Sequence, residues 1–87
     1  MASYSIRIKR SAAKEIEAIA RKEDRQRIVA RIACLAEDPR PPGCEKLSAS
    51  GDRYRVRQGN FRIVYSIVDR ELLVWIIKVG NRREVYR

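Results

Sequence analysis

The chain has 87 residues, 45% hydrophobic and 36% charged, which fits one small folded domain over residues 1–87 and excludes a disordered chain. With 20 Lys and Arg against 11 Asp and Glu it stands at +9, a balance that points to a polyanionic partner, nucleic acid or an acidic protein. It has no histidine, which removes the usual general base, the usual zinc ligand and the Ser-His and Cys-His pairs; with two cysteines in no metal-type spacing, neither metal nor cofactor is expected.

Taken in chain order, the first six residues contain no apolar h-region, so no secretory signal is expected. The longest apolar run, residues 72–77, is too short to span a bilayer, so no membrane partner is expected. A reduced, cytoplasmic protein fits both. Tyr4, Ile6 and Ile8 alternate with polar residues as a first strand does. Ser11 then offers an N-cap, and Ala12 or Ala13, Ile16, Ile19 and Ala20 form a helical face up to about Lys22. The charges of this helix, Lys14, Glu15, Glu17, Arg21, Lys22 and Glu23, read as a solvated face. Asp24 is placed to cap a second helix, in which Ile28, Ile32 and Leu35 recur and Cys34 reads as a buried free thiol; Pro39 stops it. A loop from Arg40 to about Asp52 follows, with Leu47 expected to tuck under the sheet.

The next stretch, Tyr54-Arg55-Val56-Arg57-Gln58-Gly59-Asn60-Phe61-Arg62-Ile63-Val64-Tyr65, alternates on both sides of a Gly-Asn turn signal. With a two-residue turn, Gln58 faces Phe61, Arg57 faces Arg62, Val56 faces Ile63, Arg55 faces Val64 and Tyr54 faces Tyr65; a four-residue loop shifts the pairs but keeps the faces. One face then holds Tyr54, Val56, Phe61, Ile63 and Tyr65 as core. The other gathers Arg55, Arg57 and Arg62. Like charges side by side weaken a sheet, so the cluster makes sense where an anion binds. Asp69-Arg70-Glu71 turns the chain into residues 72–79, a run without alternation that reads as a central strand covered on both faces, with Trp75 as core rather than stacking platform. Gly80-Asn81 is expected to end it before a basic tail. From residue 53 to the end there are nine basic and three acidic residues.

Strand, helix, helix and three strands give an α+β fold: a small, twisted, mainly antiparallel four-stranded sheet packed against an N-terminal helical hairpin, the first strand pairing with the last.

The segments Lys46-Leu47, Asp52 to Tyr65 and Val79-Gly80-Asn81-Arg82-Arg83-Glu84-Val85-Tyr86 closely resemble the RelE branch of the RelE/ParE toxin superfamily, as do the helix start at Ser11 and the proline-rich loop. The resemblance extends over nearly the whole chain. It implies the toxin of a type II toxin–antitoxin pair that enters the 30S A site of the ribosome and cuts mRNA there. The RNA's own 2′-OH attacks, leaving a 2′,3′-cyclic phosphate and a 5′-OH. By position, the resemblance implies that Arg55 and Arg57 flank the attacking 2′-OH, Arg62 grips the scissile phosphate, Arg82 stabilises the leaving 5′-oxygen and Tyr86 stacks on a base. Lys46, Arg53, Arg83 and Arg87 are the further expected RNA contacts. Well-known members have lysines where this chain has Arg55 and Arg57. Arginine does not give up its proton in proteins, so these two are electrostatic and the general base stays unassigned. The family further implies an antitoxin with an acidic, partly disordered segment. The alternatives are a ParE-like inhibitor of DNA gyrase, which cleaves nothing, and a non-catalytic RNA- or ribosome-binding module.

Overall fold

The computed structural model describes residues 3–47 and 52–81. They form β1 (Ser5–Ile8), α1 (Arg10–Glu17), α2 (Lys22–Cys34), β2 (Glu45–Lys46), β3 (Arg53–Gln58), β4 (Phe61–Val68) and β5 (Leu73–Asn81), with a 3₁₀ turn at Asp69–Glu71. The sheet runs β1-β5-β4-β3-β2, with β1 parallel to β5 and every other pair antiparallel. The α+β architecture and the pairing of first strand with last are as the sequence predicts. The strand count is not: the expected loop contains β2, making the sheet five-stranded and mixed.

The helix starts differ from the expectation. Lys9 is the N-cap of α1 and Arg21 that of α2, neither with a side-chain cap, so Ser11 and Asp24 lie inside the helices they were expected to cap. Glu23 and Asp24 still sit in the first turn of α2, where negative charge favours the helix dipole. The first helix stops at Glu17 rather than about Lys22. Arg25 explains how the connection holds: its guanidinium donates to the carbonyls of Ile19 and Ala20, and Ile19 stays buried beyond the helix end.

Ala12, Ile16 and Ile19 from the first helical segment and Ile28, Ile32 and Leu35 from the second pack on Val56, Ile63, Tyr65, Ile67, Val74, Ile76 and Val79. Cys34 lies six residues on from Ile28, about 240° round the helix from it, so it falls off this stripe and is exposed. Leu47 is also exposed, its N–H bonded to the Arg53 carbonyl at the sheet edge rather than tucked beneath it.

The missing alternation in the last strand has a local cause. Val64 pairs with Lys78 but Tyr65 with Ile76, so Ile77 is an inserted bulge residue that lets Val74, Ile76 and Val79 all reach one core. The run is therefore not covered equally on both faces: Trp75 and Leu73 are only half-buried. The strand also continues through Gly80 and Asn81, which pair with Arg62 and Phe61. Beyond β1, its open edge is closed by Glu15, whose carboxylate accepts the Val79 N–H and the Lys78 ammonium, each at 2.9 Å. Glu15 thus belongs to the sheet edge and not to a solvated face.

A polar clamp fixes the end of the sheet opposite the Gly59-Asn60 turn. Arg40 grips Asp69 through both nitrogens (3.2 and 2.8 Å), Tyr4 donates to the same carboxylate at 2.7 Å, and Arg40 also lies over the Tyr54 ring. The Arg40 and Tyr4 hydrogen bonds hold Asp69 down at about 2, from an ordinary 3.8. A carboxyl depressed in the folded state stabilises the fold above its ordinary value, and that contribution fades as pH falls from there through about 2. Asp69→Asn should therefore flatten the loss of Tm between about pH 4 and pH 2. The change should be small, because both partners are about half exposed. Melting curves across that window read it directly.

Candidate nucleic-acid interface

The hairpin register is the one expected for a two-residue turn: Gln58 with Phe61, Arg57 with Arg62, Val56 with Ile63, Arg55 with Val64 and Tyr54 with Tyr65. Gly59 has φ +61 and Asn60 does not share the positive sign, the pattern of a type II′ turn that suits the strand twist. Directly paired residues share a face, so the surface away from the helices is organised in rows. The row nearest the turn is Arg57, Arg62 and Gly80; the next is Glu45, Arg55, Val64 and Lys78. Gly80 brings no side chain beside Arg62.

Arg57 is exposed, but Arg55 and Arg62 are only 7% and 4% accessible, so the expected arginine face is largely desolvated. A guanidinium removed from water attracts an incoming anion more strongly than one fully hydrated. The Glu45 carboxylate is in direct contact with this cluster. Glu45 Oε1 stands 2.6 Å from Arg55 Nη2, while the Glu45 side chain remains 63% exposed. Sequence reasoning missed it, because Glu45 comes opposite Arg55 only once the two-residue β2 is known to pair with β3.

Arg53 is exposed on the same face, one row further from the turn, opposite Ser66. Lys46 pairs with Tyr54 and so belongs to the face that holds the core, away from the arginines. The structure does not bring it to the cluster, since side chains alternate along a strand and Glu45 has taken the basic face. Arg82, Arg83, Tyr86 and Arg87 lie outside the described residues.

Residues 6–86 match the family model described as ParE toxin of type II toxin-antitoxin system, parDE. The chain belongs to this family, within the RelE/ParE superfamily. A RelE-like toxin protein of Escherichia coli is 27% identical over 81 residues, covering 91% of this chain and 83% of that protein. Among solved structures, the archaeal RelE–RelB complex of Pyrococcus horikoshii superposes with a TM-score of 0.83 at 25% identity, covering 94% of this chain and 98% of that one. The isolated E. coli RelE toxin gives 0.78 at 27%, covering 97% and 92%.

For a RelE/ParE-superfamily chain the arrangement has a clear chemical capacity. Arginine forks suit bidentate contact with phosphate, and an exposed carboxylate held by one of them can take a proton from a group bound beside it. Tyr65, on the opposite face, has no such role: its hydroxyl donates to the Pro39 carbonyl at 2.7 Å, and burial pushes its pKa up.

Proposed function

We propose that this RelE-like toxin of a type II toxin–antitoxin system is an endoribonuclease that cuts mRNA in the ribosomal A site and so stops translation. The observation that carries the reading is the gathering of Arg55, Arg57 and Arg62 on one sheet face with the Glu45 carboxylate held at Arg55. The RNA supplies its own nucleophile. Its 2′-oxygen bonds to phosphorus, the bond from phosphorus to the 5′-oxygen breaks, and a 2′,3′-cyclic phosphate and a 5′-OH result. Glu45 takes the 2′-OH proton, and solvent water gives one to the departing 5′-oxygen. Arg55 orients Glu45 and, with Arg57, favours the developing alkoxide; Arg62 offsets charge on the equatorial phosphate oxygens. By the resemblance to RelE, Arg82 stabilises the leaving oxygen and Tyr86 stacks on a base, while Arg53, Arg83 and Arg87 hold flanking backbone.

A +9 toxin of this kind is held in check in the cytoplasm by an acidic, partly disordered antitoxin. The groove between the helices, with Ile16, Ala30, Ala33 and the 54% exposed Val29, offers such a segment an apolar seat.

The matching family model is that of ParE, which favours gyrase inhibition as the second reading. Primer extension on a defined mRNA, with and without translating ribosomes, separates them. Cuts confined to A-site codons are expected. Cuts on free RNA as well would keep the nuclease and remove its ribosome dependence. No cuts, together with loss of supercoiling by gyrase, would establish the second reading instead.

A further inference from the structure

The third row of the open sheet face is Arg53, Ser66, Trp75 and Arg7, one residue from each of four adjacent strands. Trp75 does not belong to the helix-side core and is half-buried, which reverses its expected role as core. The register sets it on the same surface as Arg55, Arg57 and Arg62, with an exposed arginine on the strand to one side and another two strands away on the other. A large, half-buried aromatic on the sheet face away from the helices, with exposed arginines in its row, is suited to an unpaired base. The aromatic face offers stacking to any base, and arginine forks on either side reach the phosphates that flank it. Successive rows on a strand are about 7 Å apart, comparable with the phosphate spacing of an unstacked RNA strand.

We propose that Trp75 is a stacking platform for an unpaired RNA base, flanked by Arg7 and Arg53 as phosphate contacts, on a strand that continues across the sheet from the Arg55–Arg62 cluster. This rests on the reading of the chain as an RNA-cutting toxin and adds a subsite remote from the cut. The base comes either from the mRNA or from ribosomal RNA lining the A site. In both cases the chemistry is the same: an unstacked base between two phosphates.

Trp75 is the only tryptophan, so its emission reports its surroundings without a label. The wild-type chain is titrated with a short single-stranded RNA that is 2′-O-methylated throughout and therefore cannot be cut. Binding is followed at once by Trp75 emission and by anisotropy of a dye on the RNA. Quenching that saturates together with the anisotropy is expected. Trp75→Leu should weaken binding by about tenfold to a hundredfold, and Trp75→Phe, which keeps an aromatic face, by about threefold or less. The same variants, dye-labelled, are then bound to mRNA-free small ribosomal subunits. A defect on the oligonucleotide assigns the base to mRNA, and a defect on the subunits alone assigns it to ribosomal RNA.

Emission unmoved while the RNA binds, with neither variant impaired on either target, overturns the proposal. So does quenching by the antitoxin and not by RNA, which would make this face a protein interface. Should Trp75→Leu fail to fold, the wild-type quenching and Trp75→Phe still decide. Failure of the nuclease reading looks different: no A-site cuts by the wild type, whatever its fluorescence does.

Discussion

Arg62→Ala is expected to slow A-site cleavage by roughly 10²–10³, the loss typical when one preorganised donor to a developing oxyanion is removed. The effect should fall mainly on the rate at saturating ribosomes and less on binding. Arg62 is 4% accessible and lies between Arg57 and Gly80, so its guanidinium is already withdrawn from water before any ligand arrives. A desolvated charge of this kind helps most where negative charge grows, which is the transition state rather than the bound substrate. Arg62→Lys keeps the charge but loses the fork, and should recover only part of the rate. Single-turnover cleavage on programmed ribosomes, with dye-labelled toxin to follow binding, measures both quantities. If Arg62→Ala binds more weakly yet cuts at the wild-type rate once saturated, Arg62 is a tether for the strand and the oxyanion role is lost. Far-UV circular dichroism of the variant separates either result from unfolding.

The parts of this molecule that were legible in its sequence are those fixed by local alternation and a strong turn signal. The Tyr54 to Tyr65 hairpin has both: its two faces follow from the alternation, and its pairing is the one that the two-residue reading of Gly59-Asn60 gives. What escaped depends on contacts made across the sheet. A two-residue strand such as Glu45–Lys46 is too short to show a period, so a carboxylate that touches Arg55 was read as loop. The bulge at Ile77 makes an apolar run that faces one core look like one buried on both sides, and with it Trp75 was read as core. Helix starts were misplaced for a related reason: Ser11 and Asp24 are good caps by type, but the chain enters both helices earlier, without side-chain capping. Burial of Arg55 and Arg62 was likewise invisible, because residue type argues for exposure and only the assembled sheet argues against it.

The Glu45→Gln variant tests the chemistry that the sequence left unassigned. Glutamine keeps the size of the side chain and can still accept a hydrogen bond from Arg55 Nη2, so a contact of cation to amide dipole can replace the ion pair and β2 should stay paired with β3. What is lost is a group that can take a proton. If Glu45 is the general base, the rate at saturating ribosomes should fall by about 10²–10⁴ with little change in RNA binding. A simple role in holding Arg55 predicts otherwise: Gln would preserve much of the rate. Glu45→Ala extends the comparison, since it removes the ion pair of a buried guanidinium with Glu45 as well as the base. A further drop in melting temperature for Ala but not Gln, at equal loss of rate, would assign the proton to Glu45 and the stability to its ion pair. Equal rates for Gln and wild type would return the search for the base to the RNA and the ribosome themselves.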